Sequence, residues 1–268
     1  MTSTMISLVA CTMLAPCPSY DGGPGRWCIP QVQAEPCLEN VLAHLRRNPD
    51  SPQPHYVWAL ERLAILRMNQ GRTDIAMPLV NEAYERSLKI PGLHPAQSEA
   101  AGMLAAFHRR HGDPARALPL LRRSLAIDDQ LFGELDPHAV PVLIELGTLL
   151  IGEGRESEAA KHFERAGRII AAGQIEWSRE KLLLDLGWAE LALRQKRWAE
   201  SDRLYRQSLD HPGLDKLSRV HVHAALAAIA RAQKNKDEQR AQRQRGIALA
   251  QQFPEGAALV RSIFGGTR

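Results

Sequence analysis

The feature that most constrains this chain is one sequence pattern that occurs twice, 42 residues apart. Each copy holds an apolar and a small residue, a glycine seven residues later, and then another small and another apolar residue. Apolar positions at helical spacing on both sides of a glycine predict two amphipathic helices joined by a tight turn. The matched pairs are Leu104 and Leu146, Ala105 and Gly147, Gly112 and Gly154, Ala117 and Ala159, and Leu121 and Phe163.

Weaker copies of the pattern lie on both sides of this pair. The predicted turns are centred on Gly71, Gly112, Gly154, Lys196 and Lys236, at intervals of 41, 42, 42 and 40 residues. A fixed period of this length is typical of a solenoid, because a single unit cannot bury its apolar face and must stack on its neighbours. Glycine suits such a turn because it adopts a positive φ at little cost. The two lysine turns lack that advantage.

Small residues recur seven positions before each turn and five positions after it, where the two helices of a unit must approach closely. In the fifth repeat these positions fall on Ile229 and Ala241, so we expect either a shift of register by one residue or a wider pair. The second helix adds a larger apolar residue followed by a small one. The small pairs are Ala64 and Ala76, Ala105 and Ala117, Gly147 and Ala159, and Ala189 and Ser201, and the second-helix pairs are Val80 and Ala83, Leu121 and Ser124, Phe163 and Ala166, and Tyr205 and Ser208.

This pattern resembles the tetratricopeptide repeat, over roughly residues 55–252. The period near 42, together with the link between repeats at residues 124–138, is similar to the longer repeats of kinesin light chains and related bacterial proteins. The resemblance implies an all-α fold, a right-handed α-solenoid of about five helix pairs. Composition agrees, since 44% of residues are hydrophobic but only 5% are aromatic. No sustained alternation of apolar and polar residues predicts a strand.

The formal net charge of +4 is spread along helices and interleaved with acidic residues. The one basic cluster lies at residues 231–245 and also contains Asp237 and Glu238. We interpret it as the solvated outer face of the last repeat, and we expect no nucleic-acid partner. A contact with nucleic acid or acidic lipid is the alternative.

Residues 1–35 differ from the rest in being rich in cysteine, proline and glycine. Residues 5–15 are apolar but too few to cross a bilayer as a helix, and their length suits a signal peptide. The letters LVAC at positions 8–11 resemble a bacterial lipoprotein cleavage box, in which Cys11 would carry the lipid. No Lys or Arg precedes this run, so we expect a cytoplasmic protein. Export as a membrane-anchored lipoprotein is the alternative.

The four cysteines, Cys11, Cys17, Cys28 and Cys37, lack the close pairs typical of structural zinc sites. We interpret them as reduced thiols on a loose tail, and a disulfide such as Cys28 with Cys37 is the alternative in an oxidising compartment. Farther along, Leu38 and Leu42 mark one face of a short helix, and two prolines within residues 51–54 predict a linker. The predicted segments are a tail at 1–35, a short helix and linker at 36–54, the repeats at 55–252, and a C-terminal cap or tail at 253–268.

The sequence carries no nucleophile elbow, His-Glu-x-x-His pair or phosphate-binding loop. His94, His138 and His211 each lie beside a proline in a linking loop, which favours a structural role. His108 and His111 are three residues apart on one helix, but no third metal ligand is evident. We therefore predict a protein that is not an enzyme, with no catalytic residue, no metal site and no cofactor.

In the family that the repeats resemble, the first helix of each pair lines a concave groove that binds a protein or peptide. The resemblance therefore implies a non-catalytic scaffold or adaptor. A sensor that responds to a bound peptide is the first alternative, and a metal-dependent enzyme is the second. Self-association through the C-terminal end is also open. The groove residues implied are Trp58, Glu61, Met68, Glu99, Arg109, Arg110, Ile144, Thr148, Glu190 and Arg194.

Overall fold

A computed structural model describes residues 31–48, 51–173 and 179–265. These residues form twelve helices and no strand, so the predicted all-α solenoid fold is confirmed. The helices are α1 Gln31–Arg47, α2 Gln53–Asn69, α3 Thr73–Ser87, α4 Pro95–Arg110, α5 Pro114–Phe132, α6 Ala139–Gly152, α7 Glu156–Ala172, α8 Arg179–Arg194, α9 Trp198–Leu209, α10 Lys216–Ala232, α11 Lys236–Ala250 and α12 Gly256–Phe264. Among the described helices none is both long and apolar enough to cross a membrane.

The chain divides into two compact units between Ile127 and Asp128, inside α5. The N-terminal unit holds α1 to α4 and most of α5, and the C-terminal unit holds the remaining helices. Each unit has its own apolar core. Leu60 and Leu63 of α2 lie in the N-terminal core, and Leu226 of α10 lies in a core of the C-terminal unit.

Five turns of the same geometry join the two helices of each repeat. The central residue has a positive φ in every case, at Gly71 (76°), Gly112 (76°), Gly154 (73°), Lys196 (59°) and Lys234 (58°). The N–H of the following residue donates to the carbonyl five positions earlier, as from Arg155 to Leu150 at 2.9 Å. This is the Schellman hydrogen bond, which satisfies a carbonyl that the end of the helix would leave without a partner.

The turn predicted at Lys236 is wrong by two residues. Lys234 has the positive φ and Lys236 is the first residue of α11, so this turn follows the fourth by 38 residues. The shorter interval also explains Ile229, which lies in the core rather than at the close approach of the helices. Counted from Lys234, the small position seven residues earlier is Ala227, and it is buried. The register therefore shifts by two residues, where the sequence analysis had expected a shift of one.

The predicted small pairs of the first four repeats are all buried, so that part of the pattern is confirmed. In the fourth repeat the Ser201 hydroxyl also donates to the carbonyl of Ala189 at 2.8 Å. In the third repeat, Gly147 lies directly against Phe163: a Cβ added there would lie 2.3 Å from Cε1 of the ring. Glycine is therefore required by space, since a methyl group would overlap the ring.

Phe163 of α7 is fully buried between the backbones of two helices. A Cβ added to Gly187 of α8 would lie 2.6 Å from Cζ of the same ring, so a second glycine borders it. The indole of Trp188 packs beside it, with ring centroids 5.5 Å apart. The sequence pattern identified Gly147 and Phe163, but the matching role of Gly187 was not predicted.

The first two described helices begin earlier than the sequence predicted. α1 starts at Gln31 rather than near residue 36, and α2 starts at Gln53 rather than after the 51–54 linker. Pro54 is accepted in the first turn of α2 because the N–H groups there need no intrahelical acceptor. The predicted tail and its leader fall almost wholly within residues 1–30, outside the described residues, so they remain predictions.

Of the four cysteines, only Cys37 lies among the described residues. Cys11, Cys17 and Cys28 lie outside the described residues. Cys37 of α1 is disulfide-bonded, which goes against the interpretation of four reduced thiols.

At the C-terminus, α12 forms where an apolar cap was expected. Phe264 is buried, and its ring borders Gly246 of α11, where an added Cβ would lie 2.4 Å from Cζ. The Arg243 guanidinium donates to the carbonyl of Phe264 at 3.0 Å. These contacts fasten α12 to the last repeat.

Candidate partner-binding surface

The first helices of the N-terminal unit carry six of the predicted binding residues, on α2 and α4. Trp58 and Met68 of α2 are half-buried and pack against the apolar core, so each presents only part of its side chain. Glu99, Arg109 and Arg110 of α4 are exposed. Together these five form what we term the N-terminal surface, with apolar side chains on α2 and charged side chains on α4.

Glu61, the sixth residue, behaves differently because only 1% of it is exposed. Its Oε1 accepts no hydrogen bond. Burial, and to a lesser extent the nearby Glu99 carboxylate, raises the pKa of Glu61 to about 8 against the opposing effect of Arg62. Sequence position placed this residue on the groove side of α2, but no sequence signal indicated its depth.

Two predicted binding residues of the C-terminal unit lie on α6. Ile144 is 6% exposed and packs inside the unit. Thr148 is exposed, but its hydroxyl donates to the carbonyl of Ile144 at 2.9 Å. Ile144 therefore contributes to folding, and of these two residues only Thr148 offers surface to a partner.

The other two residues of that unit, on α8, form a small polar network. One oxygen of Glu190 accepts from Nε of Arg194 at 2.9 Å, and the other accepts from the hydroxyl of Tyr205 at 3.0 Å. Burial, and then the Glu190 carboxylate, raises the pKa of Tyr205, so this phenol remains a hydrogen-bond donor. Sequence analysis singled out Tyr205 only as a large core residue. We term Thr148, Glu190 and Arg194 the C-terminal surface.

The linking-loop histidines have structural hydrogen bonds. Nδ1 of His94 accepts from the N–H of Ala96 at 3.1 Å at the start of α4, and Nδ1 of His211 accepts from Gly213 at 3.0 Å. His138 pairs with Asp136 at 2.8 Å. These contacts agree with the structural role predicted for all three residues.

His108 and His111, at the end of α4, are not grouped with a third possible metal ligand among the described residues. His111 stacks on Phe107 with centroids 4.1 Å apart, and its Nδ1 lies 2.8 Å from the Phe107 carbonyl. Across the part of the chain that the structure describes, no three His, Cys, Asp or Glu side chains are grouped as metal ligands would be.

The helix pairs and their turns correspond to a known family. The family model for the tetratricopeptide repeat matches residues 55–130 and 96–169. Residues 55–169 of the chain therefore contain tetratricopeptide repeats (TPR). The TPR fold is in general that of a protein-interaction scaffold, its members bind protein partners, and it is typically non-catalytic.

Among curated proteins, this TPR chain is similar to human mitochondrial tetratricopeptide repeat protein 19, with 25% identity over 120 residues. The match covers 44% of this chain and 31% of the human protein, so the chain spans about a third of that relative's length.

Solved structures show the same fold at low identity. BtubC (BKLC) from P. vanneervenii has a TM-score of 0.62 and 16% identity, covering 89% of this chain and 92% of its own. A P. anserina protein assigned as a kinesin light chain, with nearly identical TPR-like repeats, has a TM-score of 0.55 and 19% identity, covering 73% and 95%. NprR, solved in complex with its cognate peptide NprX, has a TM-score of 0.58 and 13% identity, covering 87% and 70%.

Proposed function

We propose that this TPR protein is a non-catalytic adaptor that binds an extended or helical segment of a protein partner on the first-helix surfaces of its units. The observation that carries this proposal is the N-terminal surface. There, half-buried Trp58 and Met68 offer apolar anchors, and exposed Glu99, Arg109 and Arg110 offer charges on the neighbouring helix. Apolar anchors beside a charged rim are the usual composition of a segment-binding groove.

The C-terminal surface supplies a smaller and more selective contact. Arg194 is exposed but paired with Glu190, so an acidic group of a partner must compete for it. The surface therefore favours a partner segment that carries an acidic residue.

The test is affinity capture with the full chain, comparing wild type with the Arg109→Glu/Arg194→Glu variant. The matched control is Arg123→Glu/Arg168→Glu, which makes the same change in net charge at exposed positions on the second helices α5 and α7. We expect wild type and the control to retain the same partner and the first variant to lose it. If both variants retain the partner equally while circular dichroism shows intact helices, the surface assignment is wrong.

A peptide-responsive sensor is the second candidate, and the fold shared with peptide-bound NprR favours it over a metal-dependent enzyme. Such a sensor should change its radius of gyration when the segment recovered by capture is added as a synthetic peptide. An adaptor should bind that peptide with an unchanged radius. Small-angle scattering with and without the peptide separates the two.

A further inference from the structure

Glu61 lies at the middle of α2 among groups that offer its carboxyl no hydrogen bond. It is 1% exposed, and its Oε1 has no donor. A buried ionised carboxylate without donors is strongly unfavourable, so such a group is retained mainly in its protonated form.

The charges around Glu61 add to this preference. Glu99, exposed on α4, repels a charge on Glu61, and Arg62 on α2 itself attracts one. The buried Nε of Arg62 also makes no hydrogen bond, so it does not reach the Glu61 carboxyl.

The other helices packed against α2 direct their charges elsewhere. Arg46 of α1 donates to Glu82 of α3 at 3.1 Å, and Arg86 of α3 lies over the Tyr56 ring at 3.5 Å. Glu35 and Glu39 of α1 accept from Arg67 at the far end of α2, at 3.3 and 2.7 Å. None of these ion pairs includes Glu61.

We infer that Glu61 is a pH-dependent switch inside α2, the helix that carries Trp58 and Met68 of the N-terminal surface. With a proton, its side chain stays buried as the structure shows it. Without one, it turns toward solvent and displaces the neighbouring side chains. Trp58 precedes Glu61 by three residues on the same helix and therefore shares its face. The partner-binding form is then the protonated one, and this last step rests on the proposed function.

The sign of the effect on stability follows from the direction of the pKa. The pKa of Glu61 is about 8 in the folded protein against an ordinary value of 4.5. The stabilising effect of the bound proton is fully present below pH 4.5 and is lost as pH rises toward 8. Within that window the unfolding equilibrium constant of the N-terminal unit should rise by about tenfold per pH unit, as one proton requires.

The experiment is urea unfolding of the full chain, followed by circular dichroism at several pH values from 5 to 9. Glu61→Gln, which imitates the protonated form, should remove most of the tenfold rise per pH unit. Glu99→Gln should keep the rise but end it at a lower pH. The matched control Glu85→Gln, at an exposed position on α3, should follow wild type. Identical profiles for wild type and Glu61→Gln would overturn the inference.

A second measurement covers the case in which Glu61→Gln fails to fold. The infrared carbonyl stretch of a protonated carboxylic acid should persist in wild type at pH 7 and disappear above pH 9. Its absence at pH 7 would equally overturn the inference. For any partner recovered by capture, retention should fall between pH 6 and pH 9 in wild type but not in Glu61→Gln. Because the unfolding and infrared measurements need no partner, failure of the adaptor proposal would leave their result readable.

Discussion

Adding one methyl group at Gly147 gives a sharp test of how Phe163 holds the C-terminal unit together. In Gly147→Ala the new Cβ would lie 2.3 to 2.7 Å from three carbons of the ring. The ring cannot move away, because Gly187 borders it from the next repeat at a similarly close distance. Overpacking of a core that cannot relax costs about 3 kcal/mol, and the better helix propensity of alanine returns about 1 kcal/mol. We expect a net loss of about 2 kcal/mol in the free energy of unfolding.

The assay is urea unfolding monitored by circular dichroism, with Gly167→Ala as the matched control. Gly167 lies in the same helix as Phe163, and a Cβ there would make an ordinary 3.7 Å contact with Leu184. Gly167→Ala should therefore gain about 0.5–1 kcal/mol. Adding Phe163→Leu to Gly147→Ala should recover part of the loss, giving a favourable coupling in the double-mutant cycle. If Gly147→Ala is stabilised as much as Gly167→Ala, the ring is not fixed between the two backbones and the reasoning fails.

Three further predictions concern the ends of helices. Lys234→Gly should stabilise the protein by about 1 kcal/mol or less because its φ is 58°. Gly154→Ala should destabilise the protein by about 1–2 kcal/mol because the φ of Gly154 is 73°. The control Gly152→Ala should not destabilise it, because Gly152 has open space around it and an ordinary φ. Chemical denaturation compares these three variants with wild type. Asp215 accepts from the N–H and hydroxyl of Ser218, and these bonds lower its pKa, so its contribution is present above pH 3.8 and lost in acid. Asp215→Ala should cost about 1 kcal/mol and Asp215→Asn much less, and equal losses in thermal unfolding at pH 7 would contradict the capping role.

The sequence predicted the repeats well because steric rules determine them locally. A turn with positive φ, as at Gly154, and a close approach of two helices, as at Gly147, each restrict the residue types that fit there. The fifth turn was misplaced because a constant period was assumed where the repeat is shorter, and a lysine at φ 58° carries no compositional signal. Alignment on the small residue Ala227 would have found it.

The candidate surface was less predictable than the fold. The position of a residue within a repeat predicts on which side of the helix its side chain lies. It does not predict how deeply the neighbouring helices bury that side chain. Glu61 and Ile144 occupy corresponding positions in their repeats, and both are buried. Trp58, near Glu61, is only half-buried, and Thr148, near Ile144, is exposed. Whether the remaining predicted residues bind a partner stays a prediction, because binding depends on a second molecule whose shape this sequence does not encode.

The pairing of Glu190, Arg194 and Tyr205 has a consequence for the rate of recognition. A charge that is already neutralised by its neighbour projects little field beyond a Debye length of about 8 Å at physiological salt. The C-terminal surface should therefore do little to speed the approach of an acidic segment, and association there should change little with ionic strength. Once the segment has arrived, exchange of Glu190 for the incoming carboxylate leaves the number of ion pairs unchanged. If the C-terminal surface binds the proposed segment, it should reject poorly fitting segments through fast dissociation rather than select good ones through fast association.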